Sequence, residues 1–160
     1  MKLIFFSVAA LLALPALGAT QSLGGKSVPG NVQSAFHQQY PQAKVIRWTN
    51  EKNGYRVKFE DHNVKYLGYL TGNGQWKETD RKYPLTRDLP QAVRDGFRNS
   101  GYQTFNIDGI HEVRTPGHHE YDIAVDNGNY YDSNDHDNFT RGYMLHFAAD
   151  GKLIRVEELS

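Results

Sequence analysis

The second half of this chain repeats the first, and that repetition limits the fold more than any other feature. Val28-Pro29 with Val32 and Phe36 returns as Leu89-Pro90 with Val93 and Phe97, at a constant offset of 61. Tyr55-Arg56-Val57-Lys58-Phe59 returns as Tyr121-Asp122-Ile123-Ala124-Val125 at an offset of 66. Asn73-Gly74-Gln75-Trp76 returns as Asp150-Gly151-Lys152-Leu153 at an offset of 77. The order of elements is kept while the connections lengthen. Two copies of one small unit, each too small to bury its own apolar face, predict a single composite domain.

Each unit opens on a helix. Val32, Ala35, Phe36 and Tyr40 follow Pro29 at helical spacing, and a first helical turn tolerates proline because its N–H would be unpaired anyway. Pro41 ends the helix by forcing its predecessor out of the helical region. Pro90, Val93 and Phe97 repeat the pattern, with Gly101 as a stop. Both helices carry a narrow apolar stripe and need a sheet to lie on.

The strands supply it. In Tyr55-Arg56-Val57-Lys58-Phe59 apolar residues alternate with cations, and Tyr143-Met144-Leu145-His146-Phe147 alternates in the same way, as in strands with one dry and one wet face. Asn53-Gly54, Asn73-Gly74 and Asp150-Gly151 mark hairpin turns. Each unit is read as a helix followed by three or four antiparallel strands, beginning near Val45 to Thr49 and Ile107 to Arg114. The fold class is α+β, a tandem of helix-plus-antiparallel-sheet units. Residues 1–19 read as an export signal, 20–27 as a flexible lead-in, 28–84 as unit one and 85–160 as unit two.

If Tyr55, Val57, Phe59, Tyr66, Gly68 and Leu70 face the first helix, then Arg56, Lys58, Lys65, Leu67 and Tyr69 face away. The repeat puts Asp122, Ala124, Gly142, Met144 and His146 on the matching side of unit two. Two helices cannot cover both faces of such a sheet. A leftover face with cations and an aromatic at one end, and carboxylate and Met at the other, has the makeup of a protein-binding surface. The charge follows the same division. The full chain carries formal charge zero, yet residues 20–84 hold ten Lys and Arg against five Asp and Glu, and residues 85–160 hold seven against thirteen. A neutral total argues against a nucleic-acid partner, whereas a dipolar surface orients a protein partner during encounter.

Catalytic signatures are absent. Gly25-Lys26-Ser27 lacks the first glycine of a phosphate-binding loop, no serine sits in a nucleophile elbow, and the chain has no cysteine. The signal-like apolar stretch is short and broken by Pro15, and no membrane span is expected elsewhere. Gly117-His118-His119-Glu120 with His111 offers metal-ligand types, but neighbours in a strand point to opposite faces. Unit two also carries an eleven-residue insertion relative to unit one, between Val125 and Tyr143. Its Asp132, Asn134, Asp135 and Asp137 are hard oxygen ligands suited to calcium, without EF-hand spacing, and Tyr130 and Tyr131 suit a contact loop instead. Asn138-Phe139-Thr140 matches a glycosylation sequon. Calcium is the cofactor this loop suggests, and the alternative function is that of a calcium- or small-ligand-binding envelope protein using loop 126–140.

Ala35-Phe36, Tyr40-Pro41-Gln42-Ala43, Trp48, Tyr55-x-Val57-x-Phe59, Gly74-x-Trp76, Leu89-Pro90-x-x-Val93 and Phe147-x-x-Asp150-Gly151-Lys152 resemble the β-lactamase-inhibitor-like, PepSY-like family of exported Bacteroidetes proteins. The resemblance spans residues 28–157. It implies one continuous curved sheet with two helices on one face, similar to the β-lactamase inhibitor protein, and a suspected role in binding or restraining extracytoplasmic peptidases. It carries over no catalytic residue. The expected function is a non-catalytic module, periplasmic or secreted, that holds a protein or peptide partner. Arg56, Lys58, Lys65, Tyr69, Asp122, Met144, His146, Tyr130 and Tyr131 are the expected contacts.

Overall fold

The computed structural model describes residues 22–23, 27–128 and 141–159. Helix α1 (Gly30–Gln39) precedes strands β2 (Lys44–Glu51), β3 (Gly54–Asp61), β4 (Val64–Thr71) and β5 (Trp76–Lys82). A short 3-10 turn at Thr86–Asp88 leads into helix α2 (Gln91–Arg98), then β6 (Asn106–Thr115), β7 (His118–Asp126), β8 (Gly142–Ala148) and β9 (Leu153–Leu159). The stub β1 (Ser22–Leu23) pairs with Thr49 and Trp48 of β2. The lead-in therefore contributes structure at this point. The free edge of β2 offers unpaired backbone groups, and even two residues can satisfy some of them. All nine strands form one antiparallel sheet in simple sequence order.

Both prolines stand one position earlier than the helical spacing implies. Pro29 and Pro90 are N-caps with extended ψ values of 142° and 145°, and the helices begin after them. The Pro29 carbonyl accepts from the N–H groups of Val32 and Gln33 at 3.0 and 3.1 Å, so the cap is made by backbone alone. At the other end of α1, Tyr40 leaves the helical region at φ −132° and its N–H donates to the Phe36 carbonyl, immediately before Pro41.

The helices lie on the same face of the sheet. Val57 sits opposite Gly68, Gly68 opposite Thr79, Thr79 opposite Arg114, and Arg114 opposite His119. Tyr121, two residues beyond His119, sits opposite Phe147. One unbroken row thus joins the wall beneath α1 to the wall beneath α2. Under α1, fully buried Val32, Phe36, Val57 and Phe59 pack with Trp48 and Leu70. The Phe36 ring meets those of Phe59 and Trp48 edge-on, with centroids 5.1 and 5.6 Å apart. Gly68 makes room for the indole of Trp76, which would lie 2.8 Å from any Cβ there. Under α2 the core is more aliphatic: Val93, Ile123, Val125 and Leu145 surround Phe97 and Phe147. The repeat preserves the site of each contact while changing what fills it.

Between the two cores the same face turns polar. Glu112, 1% exposed, accepts from Arg114 Nε at 2.8 Å and from the Tyr83 hydroxyl at 3.0 Å, and its Oε1 lies 2.8 Å from His119 Nε2. The hydroxyl of Tyr40, the residue that follows α1, meets Thr79 Oγ1 at 3.0 Å on the unit-one side of this seam. A buried carboxylate is tolerated only when its lone pairs are taken, and here they are.

Candidate partner-binding face

Across the sheet from the helices, the register builds three rows. Arg56 stands opposite Tyr69 and Tyr69 opposite Glu78; the Arg56 guanidinium lies 4.9 Å from the Tyr69 ring centroid. Lys58 leads to Leu67, Asp80, Val113 and Glu120. Lys82 leads to His111, Asp122, His146 and Arg155. Lys65 joins Arg56 and Lys58 on the unit-one side, opposite Glu60. Among the described residues, no helix or strand covers this face. Cations outnumber carboxylates on β3 and β4, where Glu60 faces Lys65, while carboxylates prevail from β5 through β7.

The middle of this face is electrically active. His111 Nδ1 lies 2.8 Å from Asp80 Oδ1, and that hydrogen bond outweighs desolvation to hold the imidazole pKa above its ordinary 6.5. Glu78 is raised above the usual carboxylate value, first by burial and then by repulsion from Asp80 and Asp122. Glu157 is lowered, chiefly because Arg155 donates to it. The surface thus carries mutually repelling carboxylates at its centre and a compensated group at its β9 edge.

His146 departs from the exposed-contact reading. It is 2% exposed even though it points to the uncovered side. Its Nδ1 lies 2.7 Å from Asp122 Oδ1 and 3.6 Å from Glu120 Oε2, and Arg155 reaches over it to Glu120 at 3.2 Å. Long side chains from two neighbouring strands bury a ring that the alternation alone would leave in water. A body approaching this face meets Arg155 before His146.

The chain matches the beta-lactamase-inhibitor-like, PepSY-like family over residues 19–67 and 70–155. It belongs to that family. Solved structures share the fold. A BLIP-like protein from Bacteroides fragilis NCTC 9343 aligns with a TM-score of 0.70 at 20% identity, over 82% of this chain and 86% of that one. A DUF2874 family protein from Bacteroides ovatus ATCC 8483 aligns at 0.65 with 25% identity, over 84% and 89%. Another, from Bacteroides uniformis ATCC 8492, aligns at 0.61 with 24% identity, over 81% and 88%. A search of curated proteins returned no match.

Within this PepSY-like frame the sequence-derived residues fall into three groups. Arg56, Lys58, Lys65, Tyr69, Asp122, Met144 and His146 share the uncovered face, as the strand alternation implies. His118, His119 and Glu120 do not form one cluster: His119 turns to Glu112 on the helix side, and Glu120 turns to Arg155 on the other. Tyr130, Tyr131 and the calcium candidates Asp132, Asn134, Asp135 and Asp137 lie outside the described residues. Sequence reasoning missed Glu78, Asp80, Arg155 and Glu157, and named Glu120 only as a metal-ligand type beside His118 and His119, not as a residue of this face. Glu120 was within reach, since it stands two residues before Asp122 and must share its face. Among the described residues no helix is long and apolar enough to cross a membrane.

Proposed function

We propose that this PepSY-like chain is an exported, non-catalytic binding module that holds a protein or peptide partner against the uncovered face of its sheet. The single observation that supports this most is a nine-stranded sheet with one face packed by helices and the other bearing segregated charge around Tyr69, Leu67, Val113 and Met144. Half-buried aromatic and aliphatic groups ringed by charge fit the core-and-rim makeup of an interface. The cationic side steers an acidic region of the partner and the acidic side a basic one, which sets orientation more than affinity. Localisation outside the cytoplasm is supported by the N-terminal segment, with Lys2, an apolar run and Ala16-Leu17-Gly18-Ala19 as a cleavage site.

The reading is tested by charge reversal. Lys58→Glu with Lys65→Glu, both exposed, should reduce capture of the cognate partner from envelope extract and flatten its salt dependence, with the melting temperature almost unchanged, because exposed charges contribute little to stability. Capture that persists at wild-type strength in this variant would sink the reading.

A further inference from the structure

On the uncovered face of β7, β8 and β9 lies a side-chain cluster whose hydrogen bonding the described residues leave incomplete. Glu120, Asp122 and His146 bring three ligand atoms within 4.8 Å of one another. His146 Nδ1 is claimed twice: Asp122 Oδ1 at 2.7 Å requires it to donate, while Arg155, at 3.1 Å, requires it to accept. Its Nε2 is buried and has no hydrogen-bond partner among the described residues; Glu157 Oε1 stands 3.8 Å away, outside hydrogen-bond distance.

No protonation state of the imidazole satisfies every contact in this arrangement. With the proton on Nδ1, the ring opposes the Arg155 donor and leaves the Nε2 lone pair dry. With the proton on Nε2, the Nδ1 lone pair confronts the Asp122 carboxylate. With both, the imidazolium donates to Asp122 but abuts the Arg155 guanidinium and leaves its Nε2–H 3.8 Å from Glu157 Oε1. With the ring neutral the charge is also out of balance, since among the described residues Glu120, Asp122 and Glu157 then surround the cation Arg155 alone. Buried polar atoms in native proteins are normally satisfied, and those that are not call for an explanation.

We infer that Glu120, Asp122 and His146 form a binding site for a divalent transition metal of the zinc type, with the Arg155 guanidinium occupying the metal position when it is empty. Donor separations of 2.7 and 3.6 Å around Nδ1 bracket the roughly 3.3 Å expected between ligands of a tetrahedral zinc with bonds of about 2.0–2.1 Å. A metal on Nδ1 relieves the double claim and puts the proton on Nε2, toward which the 44% exposed Glu157 side chain has only to move in from 3.8 Å to accept it. An outer carboxylate fixing the second nitrogen is the usual support of a metal-bound histidine. Two carboxylates and a neutral imidazole match a dication in charge, and the nitrogen ligand favours zinc-type metals over calcium. Arg155, 36% exposed and bonded to Glu157 through Nε at 2.8 Å, can swing outward while keeping that partner. Three protein ligands leave a fourth position open toward the uncovered face, where a water, carboxylate or imidazole completes the shell.

The test is titration of untagged, metal-stripped protein with Zn²⁺ by calorimetry, with Co²⁺ as the spectroscopic probe of a four-coordinate site. One equivalent should bind, raise the melting temperature of the wild type, and give the intense visible bands of tetrahedral cobalt. Asp122→Asn and Glu120→Gln should each weaken binding by about tenfold or more. Arg155→Gln should tighten it by about tenfold, because the competing cation no longer has to be expelled. A salt-bridge network without a metal role predicts no such gain. Binding that survives Asp122→Asn and Glu120→Gln would place the ion elsewhere, for example at exposed His118 or the acidic insertion, and overturns the inference. Absence of Zn²⁺ and Co²⁺ binding to the wild type at 100-fold excess, or binding in Arg155→Gln alone, overturns it as well, and so does an unmoved wild-type melting curve.

Discussion

Gly96 and Gly151 touch backbone to backbone: a Cβ on Gly96 would lie 1.9 Å from the Gly151 carbonyl oxygen, and one on Gly151 would lie 2.1 Å from the carbonyl oxygen of Ala92. The β8–β9 turn is thereby seated directly on α2. In unit one the same seat is looser, since a Cβ on Gly74 would be 3.1 Å from the Asn31 carbonyl and 3.4 Å from the Ala35 Cβ. Ala35 stands where Gly96 stands in the second repeat. Closer approach of turn to helix made the side chain impossible there.

Gly96→Ala should therefore destabilise by about 2–4 kcal/mol, despite alanine's better helix propensity, because backbone atoms on both sides must move. Gly101→Ala is the control. Gly101 has a positive φ of 85°, but a Cβ added there would meet nothing within 4 Å, so its cost should be only the left-handed penalty of about 1–2 kcal/mol. Equal losses at the two sites in denaturant melts would refute the close-contact argument.

Phe36 and Phe97 are equivalent anchors, 0% and 6% exposed beneath their helices. Truncation of either to Ala should cost about 3–5 kcal/mol. Phe36→Ala removes edge-on contacts to Phe59 and Trp48, while Phe97→Ala removes a looser one to Phe147 at 6.4 Å, so the first loss should be the larger. The reverse order in chemical unfolding would mean that the core of unit two depends more heavily on the Phe97–Phe147 pair.

Acid should attack the seam at Glu112. Burial by itself raises this carboxyl, but donation from Arg114, His119 and Tyr83 outweighs it and leaves the pKa below the ordinary 4.5. A lowered folded-state pKa gives stability that is present above the unfolded value and lost as pH falls through the folded one. Wild-type melting temperature should therefore drop steeply below about pH 4.5, and Glu112→Gln should flatten that drop while costing about 1–3 kcal/mol at neutral pH. Parallel acid profiles for the two proteins would show that other carboxylates control acid unfolding.

His111 has the opposite sign. Its pKa is raised, first by the hydrogen bond to Asp80, so the stability it contributes is full below about 6.5 and disappears as pH climbs through the folded value. Asp80→Asn should return the imidazole titration, followed by NMR, toward the ordinary value. A titration midpoint unmoved by that change would mean that the Asp80 contact does not hold the proton.

The alternation in β3 and the spacing around Phe36 and Phe97 identified the buried face, the helices and the repeat, since local period and hydrophobicity decide those features before any long-range contact forms. Glu112 was not legible in the same way. It occupies an ordinary strand position, and only the pairing of β5 with β6 brings Tyr83 to it while the β6–β7 hairpin brings His119. Arg155 and Glu157 share the face of His146 because a register irregularity between His146 and Phe147 sets which side of β9 faces which way.

From its sequence alone the chain determined two helix-and-sheet units, the charge of each and the side of the sheet left without a helix, because side-chain period fixes direction within each element. Tertiary structure decided which charges meet. Cross-strand partners come from elements far apart in the chain, so the burial of His146 beneath Arg155 and the satisfaction of Glu112 exist only once the sheet has closed its register.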